Sequence, residues 1–300
     1  MTRVDRRPQI MQLDIFEHSR DVMLRNDLVE ALVRRDATAA RSARQALADA
    51  YPQDTALADA SVLIEVLDRV DHTPWRTHAA ANCARDHLEQ HVAPVARGLL
   101  GETSATIWLA ELWDELAQRA VALPFRANEA DAHSAALYLR AGRWHAAASA
   151  AECIESWRRI PGPLSWVAHA RWHLMGLDAV WPLLAELAWL SPTRFEQLAH
   201  ALNDAALDQL LGCFSVDFDG SGETDDLMWF PAWTLTEQPR LAGLFASAQA
   251  YRHTDAERAW QLMLALLKLE QEGRHHEMIE HRRRLQSLHG GLYRSYMKTR

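Results

Sequence analysis

The sequence has little cysteine, glycine and proline, and it has no long apolar run. Three scattered cysteines among 300 residues exclude a disulfide framework and favour a reducing compartment. No segment approaches the roughly 18 uncharged apolar residues of a membrane span. The basic N-terminal residues are not followed by the apolar run of a signal peptide. We therefore expect a cytoplasmic protein that does not contact a membrane.

The short motifs of common enzyme classes are also missing. The chain contains no G-x-S-x-G, no phosphate-binding G-x-x-x-x-G-K-[ST] and no G-x-G-x-x-G. The sequence therefore predicts a non-enzymatic protein without a cofactor. A helical enzyme whose catalytic groups are far apart in sequence stays open as an alternative.

Acidic side chains exceed basic ones, and the two signs are unevenly spread. The chain has 40 acidic and 32 basic residues and a formal charge of −8. Residues 274–300 hold seven basic and two acidic side chains, a net of +5, which leaves −13 on the remainder. Phosphate would be repelled by that remainder, so nucleic acid could bind only through the basic C-terminal helix. The alternative is that this helix faces solvent or the protein's own acidic surface.

Residue usage and boundary signals predict an all-α protein. Good helix formers dominate, and alternating runs of Val, Ile and Thr are nearly absent. Thr254 and Glu257 form a capping box, and Pro94 should kink or split its helix. Helices are predicted at 15–35, 37–50, 55–70, 74–99, 104–122, 129–141, 144–159, 164–175, 178–190, 193–211, 239–252, 255–272 and 275–289.

Several of these helices recur as hairpins with a common spacing. Gly142 and Gly176 lie 34 positions apart, and each has an aromatic residue four positions earlier, Tyr138 and Trp172. A third unit fits around Gly273, and a poorer one fits around Arg35. Glycine in the turn permits the positive φ that ends the first helix of a hairpin. The predicted repeat core consists of Tyr138, Gly142, Ala147, Trp172, Gly176, Trp181 and Gly273.

This pattern resembles tetratricopeptide-repeat proteins over about residues 129–192 and 255–289. The resemblance implies an α-solenoid or an array of antiparallel helical hairpins that binds a peptide or protein partner. Residues 1–125 would form N-terminal hairpins and residues 126–300 the repeat-like array, continuous with the first part. The first repeat lacks the early Trp-x-x-Leu-Gly of the consensus, and an irregular all-α bundle is the alternative.

One segment, residues 214–236, interrupts the helical pattern and is predicted to be a long loop. Its acidic and small residues match several positions of a calcium-binding loop, but Met228 stands where the bidentate glutamate should be. An acidic surface loop is the favoured interpretation. The matching residues are Asp217, Asp219, Ser221, Gly222 and Asp225.

The second half of this segment is rich in aromatic residues. Trp229, Phe230 and Trp233 surround a proline, and such a cluster is costly to leave in water. The segment therefore either fills the protein's own groove or offers a contact surface to a partner.

Fifteen histidines raise the question of a metal site. Cys83, His87 and His91 follow one another at i, i+4 and i+8, a spacing that would place zinc ligands on one helix face. No further ligand is evident from the sequence, so these residues are more typical of a helix surface.

A short string near the N-terminus resembles the pentapeptide Q-L-[SD]-L-F, by which bacterial proteins bind the DNA polymerase sliding clamp. The residues are Gln12, Leu13, Asp14, Ile15 and Phe16. Such a peptide binds in an extended form, with its Leu and Phe in apolar pockets. The alternative is that Asp14 caps the first helix and Phe16 lies on its buried face.

Together these features favour a non-enzymatic interaction or adaptor protein that binds a peptide or protein partner. A DNA replication or repair accessory that docks on the sliding clamp through residues 12–16 is the alternative.

Overall fold

The computed structural model describes the backbone of residues 8–300 and the side chains of residues 20–300, in both cases without residue 70. This part of the chain contains 17 α-helices, no β-strand and 79% helix, which confirms the predicted all-α class. None of the described helices is both long and apolar enough to cross a membrane.

The chain divides into two compact units, Met1–Gly142 and Arg143–Arg300. The last helix of the first unit packs on the long helix before it. The helices of the first unit are α1 (Pro8–Val33), α2 (Ala37–Ala50), α3 (Ala56–Asp68), α4 (His78–His87), α5 (Ala93–Leu100), α6 (Glu102–Ala120) and α7 (Ser134–Arg140).

Consecutive helices of the first unit pack on one another, α1 on α2, α2 on α3, α5 on α6 and α6 on α7. Arg35 closes the turn between α1 and α2 with a φ of 57°, in the left-handed region that a glycine would favour. Its guanidinium donates to the Trp108 carbonyl at 2.9 Å, and the Trp108 indole donates to the Leu32 carbonyl at 3.0 Å. These two hydrogen bonds hold the turn between α1 and α2 against α6.

Pro94 interrupts the predicted helix 74–99, as expected. A π-helical turn, Leu88–Val92, separates α4 from α5, and Pro94 lies at the start of α5. Proline has no N–H and its ring collides with the carbonyl four residues earlier, so the preceding turn widens.

The second unit also packs consecutive helices, including α8 on α9, α9 on α10, α10 on α11 and α15 on α16. The capping box predicted at Thr254 and Glu257 is present at the start of α15. The helices are α8 (Trp144–Glu152), α9 (Pro161–Met175), α10 (Trp181–Leu190), α11 (Pro192–Leu202), α12 (Ala205–Asp217), α13 (Phe230–Glu237), α14 (Ala242–Phe245), α15 (Asp255–Gln271), α16 (His275–Leu288) and α17 (Gly290–Lys298).

Several predicted boundaries were wrong. The helix expected at 193–211 is divided into α11 and α12, because Asn203 adopts a left-handed conformation and Asp204 caps a new start. The long loop expected at 214–236 shrinks to residues 218–223, followed by the 3₁₀ turn Thr224–Trp229 and by α13. The helix expected at 239–252 is reduced to a short turn and α14.

Candidate functional site

A cavity of the second unit lies between α11, α12 and residues 218–227, and it has a volume of about 550 Å³. We call it the acidic groove. Glu196 lies on α11, Asp208 on α12, and Glu223 and Asp226 follow α12. No lysine or arginine is among its described lining residues, so its side chains carry four negative charges when ionised. The remaining lining residues are His200, Leu211, Gly212, Phe214, Ser215, Phe218, Gly222, Thr224 and Leu227.

The spacing of residues on α12 explains one wall of this groove. Asp208, Gly212 and Ser215 recur at helical intervals and therefore share one face. Gly212 removes a side chain from the middle of that face, and a Cβ there would meet nothing within 4 Å. The wall is thus open at its centre and polar on both sides.

Stacked rings form the apolar part of the groove. Phe218 stacks on the buried Phe214 with ring centroids 4.6 Å apart and an interplanar angle of 22°. On its other side Phe218 stacks on His289 at 4.9 Å. The two phenyl rings therefore give the groove an apolar surface beside its carboxylates, against which the aliphatic stem of a basic side chain can pack.

The loop that closes the groove is held by one carboxylate. Asp226 accepts a hydrogen bond from the Gly222 N–H at 2.7 Å and one from the Ser221 hydroxyl at 3.1 Å. A Cβ at Gly220 would overlap this carboxylate, so residue 220 has room only for glycine as the loop is folded. Gly222 has a φ of 80°, which also favours glycine.

His289 lies behind this loop and caps α17 by accepting from the Leu292 N–H at 3.0 Å. Burial lowers the pKa of His289, while the nearby carboxylates of Asp219 and Asp226 oppose that shift. Asp219 is itself ion-paired with Arg294. The imidazole is therefore held as a neutral stacking and capping group.

The calcium-loop residues do not assemble into a site. Asp217 ends α12, and Asp219 pairs with Arg294. The carboxylate that lines the groove and holds the loop is that of Asp226, not that of Asp225. Among the described residues no group of three or more His, Cys, Asp or Glu side chains is placed to hold a metal ion.

The aromatic segment is part of the core of the second unit. Phe230 and Trp233 are 1% and 0% exposed and contact Phe214, while Trp229 is half-buried against His289 at 4.6 Å. Of the two alternatives for this segment, Phe230 and Trp233 therefore follow the first: they fill the core of their own unit and do not form an exposed contact surface. Their helix, α13, was missed because its proline lies near the start of the helix, where proline is tolerated.

The candidate zinc ligands of the first unit lie in two different types of helix. Cys83 and His87 belong to α4, whereas His91 lies in the π-helical turn. The ring centroids of His87 and His91 are 5.5 Å apart.

The turn glycines of the predicted repeats have the backbone conformation that was expected of them. The φ angles of Gly142, Gly176 and Gly273 are 67°, 80° and 70°. Trp181 and Ala147 are buried, and Tyr138 and Trp172 are half-buried. Helices α9 and α10, which flank Gly176, pack on each other, as do α15 and α16, which flank Gly273.

The clamp-like pentapeptide, residues 12–16, lies within α1, so its backbone is helical. Its side chains lie outside the described residues. Docking in an extended form would require this part of α1 to unwind, and clamp binding stays a prediction.

The basic C-terminal residues largely contact carboxylates of their own unit. Arg294, within α17, pairs with Asp219, and Arg300, just after α17, pairs with Glu270. Arg274 and Arg284 are also ion-paired. These contacts reduce the charge that a nucleic acid would meet.

Sequence reasoning missed the acidic groove because its walls come from separate helices. Glu196 and Asp226 are 30 positions apart, and nothing in their neighbours marks them as partners. Comparison of the chain with family models, with curated proteins and with solved structures gave no match.

Proposed function

We propose that this chain is a non-enzymatic interaction protein that binds a basic peptide segment of a partner protein in the acidic groove. The observation that carries the proposal is a cavity lined by four carboxylates and two phenyl rings without a lysine or arginine. A lysine or arginine side chain would place its charged end near the carboxylates and its aliphatic stem against the phenyl rings.

The size and the charge of the groove support this assignment. A volume of about 550 Å³ falls within the range of established ligand sites. The formal charge of −8 on the whole chain would also attract a basic partner at low ionic strength.

The repeat-like helix pairs support the peptide-binding class. In each of the pairs α9–α10 and α15–α16 the two helices pack on each other around a glycine with positive φ, and stacked helical hairpins commonly offer grooves to extended peptides. In this proposal the second unit is a tetratricopeptide-like scaffold, and the groove is the part of its surface that selects the partner.

The test uses a fluorescein-labelled peptide of alternating Lys, Arg and Leu, with a second peptide in which Glu replaces each basic residue. Fluorescence anisotropy should show binding of the basic peptide only, and affinity should fall as salt is raised. The double variant Asp208→Asn with Glu223→Gln should bind it at least about tenfold more weakly, since each lost charge pair is worth about 1 kcal/mol or more.

The matched control removes the same two charges elsewhere in the second unit. Glu155 and Asp178 are both exposed and do not line the groove. The variant Glu155→Gln with Asp178→Asn should bind as wild type. Equal affinity of the groove variant and the control variant would contradict the proposal.

A further inference from the structure

A second cavity of the same unit has the opposite chemistry. It encloses about 240 Å³ between the 3₁₀ turn Trp157–Arg159, the C-terminal half of α10 and residues 249–257. We call it the arginine cavity. Arg159, Tyr251 and Arg252 lie exposed at its rim, while Glu186, Trp189 and Glu257 form a floor that is at least 97% buried.

The two buried carboxylates of the floor have their hydrogen-bonding capacity taken up by the protein. Glu186 accepts two hydrogen bonds from Arg158, at 2.9 and 2.6 Å, and one from the Gln249 N–H at 2.9 Å. Glu257 accepts from three backbone N–H groups of residues 251–254, at 3.0, 3.1 and 2.7 Å. Neither carboxylate needs a further donor.

Near this cavity, the buried polar groups of described residues that have no hydrogen-bond partner are the indole N–H groups of Trp189 and Trp260, and both are donors. Trp189 is 3% exposed, and its indole N–H has no acceptor among the described residues. Trp260 packs against it in a tilted, edge-like contact at 4.9 Å, and its N–H also lacks an acceptor. In such a contact only one N–H can point at the other ring, so the pair cannot satisfy both groups.

The two rim arginines add positively charged hydrogen-bond donors to these unpaired indole N–H groups. Arg159 lies over the ring of Tyr251, 4.6 Å from its centroid, and no carboxylate of the described chain pairs with it or with Arg252. Counting Arg158 and the two glutamates, the ionised lining carries a net charge of +1. A net charge of +1 matches a monoanion. A dianion would leave the occupied cavity with a net negative charge beside the two buried carboxylates.

The backbone on both sides of the cavity is strained. Ser156 precedes the arginine turn with a φ of 56°, and His253 follows Arg252 with a φ of 53°. Non-glycine residues in the left-handed region cost about 1 kcal/mol or more each. Because Arg35 and Asn203 have the same conformation at plain helix turns, this strain fixes the two arginine-bearing turns and does not by itself indicate a ligand.

From these hydrogen bonds and charges we propose that the arginine cavity binds a small organic monocarboxylate with an apolar body. The carboxylate would accept hydrogen bonds from Arg159 and Arg252. The Trp189 indole nitrogen is fully buried, so its N–H would reach the carboxylate only after a small movement of its side chain. The apolar body would lie against Leu190 and the Tyr251 ring. A volume of about 240 Å³ lies below that of typical drug-sized ligand sites, which limits the ligand to a small acid or to the last residue of a peptide chain.

The test follows the indole N–H signals of ¹⁵N-labelled protein by NMR, with the variant Trp189→Phe to assign the Trp189 signal. The probes are phenylacetate, N-acetylphenylalanine, N-acetylphenylalanine amide and inorganic phosphate. Phenylacetate or N-acetylphenylalanine should shift the Trp189 proton downfield as it gains an acceptor, and the uncharged amide should not. Binding of both acids indicates a free small carboxylate, whereas binding of N-acetylphenylalanine alone indicates a peptide C-terminus.

Variants connect this signal to the rim. Arg159→Gln and Arg252→Gln should each weaken binding about tenfold, whereas Arg258→Gln, an exposed arginine on α15 that pairs with Asp255, should leave it unchanged. Several outcomes would overturn the proposal: no Trp189 shift with either acid at about 10 mM, equal binding of the amide, tighter binding of phosphate, or unchanged affinity in both rim variants. None of these results depends on whether the acidic groove binds a peptide.

Discussion

Trp144 and His173 stack face to face, with ring centroids 3.6 Å apart and an interplanar angle of 9°. His169, one helical turn earlier on α9, lies 5.2 Å from His173 and extends the stack. Burial lowers the pKa of both histidines, that of His169 to about 4. The indole of α8 thus packs on two imidazoles that are neutral at pH 7.

This stack should make the second unit sensitive to acid. Because the folded pKa of His169 is about 4 and its ordinary value is 6.5, the unfolded chain binds more protons between these two values. The free energy of unfolding should therefore fall as pH drops from about 6.5 towards 4. Urea titrations at pH 7, 6 and 5 should show a smaller fall for His169→Gln than for wild type.

His145 provides the control for this pH dependence, since it is an exposed histidine on α8. His145→Gln should keep the full wild-type fall. If His169→Gln and His145→Gln had the same dependence as wild type, the acid sensitivity would have to come from elsewhere, for example from the buried His133 of the first unit, whose pKa is also about 4.

Two glycines of one helix end should respond in opposite ways to alanine. Gly101 ends α5 with a φ of 77° and a ψ of 158°, a region that is nearly closed to other residues, so Gly101→Ala should destabilise the protein by about 1–3 kcal/mol. Gly98 lies inside α5 with open space around it, so Gly98→Ala should stabilise by about 0.5–1 kcal/mol. Thermal or urea unfolding measures both, and destabilisation by Gly98→Ala would contradict this account of the helix end.

The buried Arg158–Glu186 pair should be far more important than an exposed one. Arg158→Met leaves a carboxylate that is 3% exposed without its cation and should cost about 3 kcal/mol at pH 7. Burial already raises the pKa of Glu186, and loss of Arg158 raises it further. The variant should therefore lose less stability at pH 5, where Glu186 can take up a proton, than at pH 8.

Arg171→Met is the comparison, because Arg171 and Glu152 form a 2.7 Å pair that is partly exposed at both ends. It should cost less than about 1 kcal/mol, with little dependence on pH. Similar losses for the two variants in denaturant unfolding would show that burial does not govern these pairs.

Gly220 should be the most sensitive position of the loop that closes the acidic groove. Gly220→Ala places a methyl group against the Asp226 carboxylate and should break its hydrogen bond to the Gly222 N–H. Hydrogen exchange at the Gly222 amide should become faster, while the exposed control Ser247→Ala should leave it unchanged. Unaltered protection in Gly220→Ala would mean that the loop adjusts without losing this bond.

Local signals predicted much of the fold, because they act within a few residues. The capping box at Thr254 predicted the start of α15, and Gly176 ends its helix in the conformation that was expected. The division between α11 and α12 was missed because Asn203 can continue a helix or end it, and tertiary contacts decide which it does.

The candidate sites could not be predicted in the same way. The acidic groove and the arginine cavity depend on which side chains are brought together and on which carboxylates the protein's own donors saturate, and both are properties of the folded chain. Asp225 and Asp226 look equivalent in sequence, yet only Asp226 lines the groove. Trp189 is one of 12 tryptophans, and only its surroundings distinguish it from those that merely fill the core.

The contact between Arg35 and Trp108 has a consequence for the order of folding. Helices α1 and α2 are neighbours in sequence and could pair early, but the left-handed turn between them is fixed by hydrogen bonds to a residue 73 positions away. These hydrogen bonds can form only after α6 has formed and has packed against α1. We therefore expect the first helical pair to fluctuate in early intermediates and to become fixed late, together with the rest of the first unit.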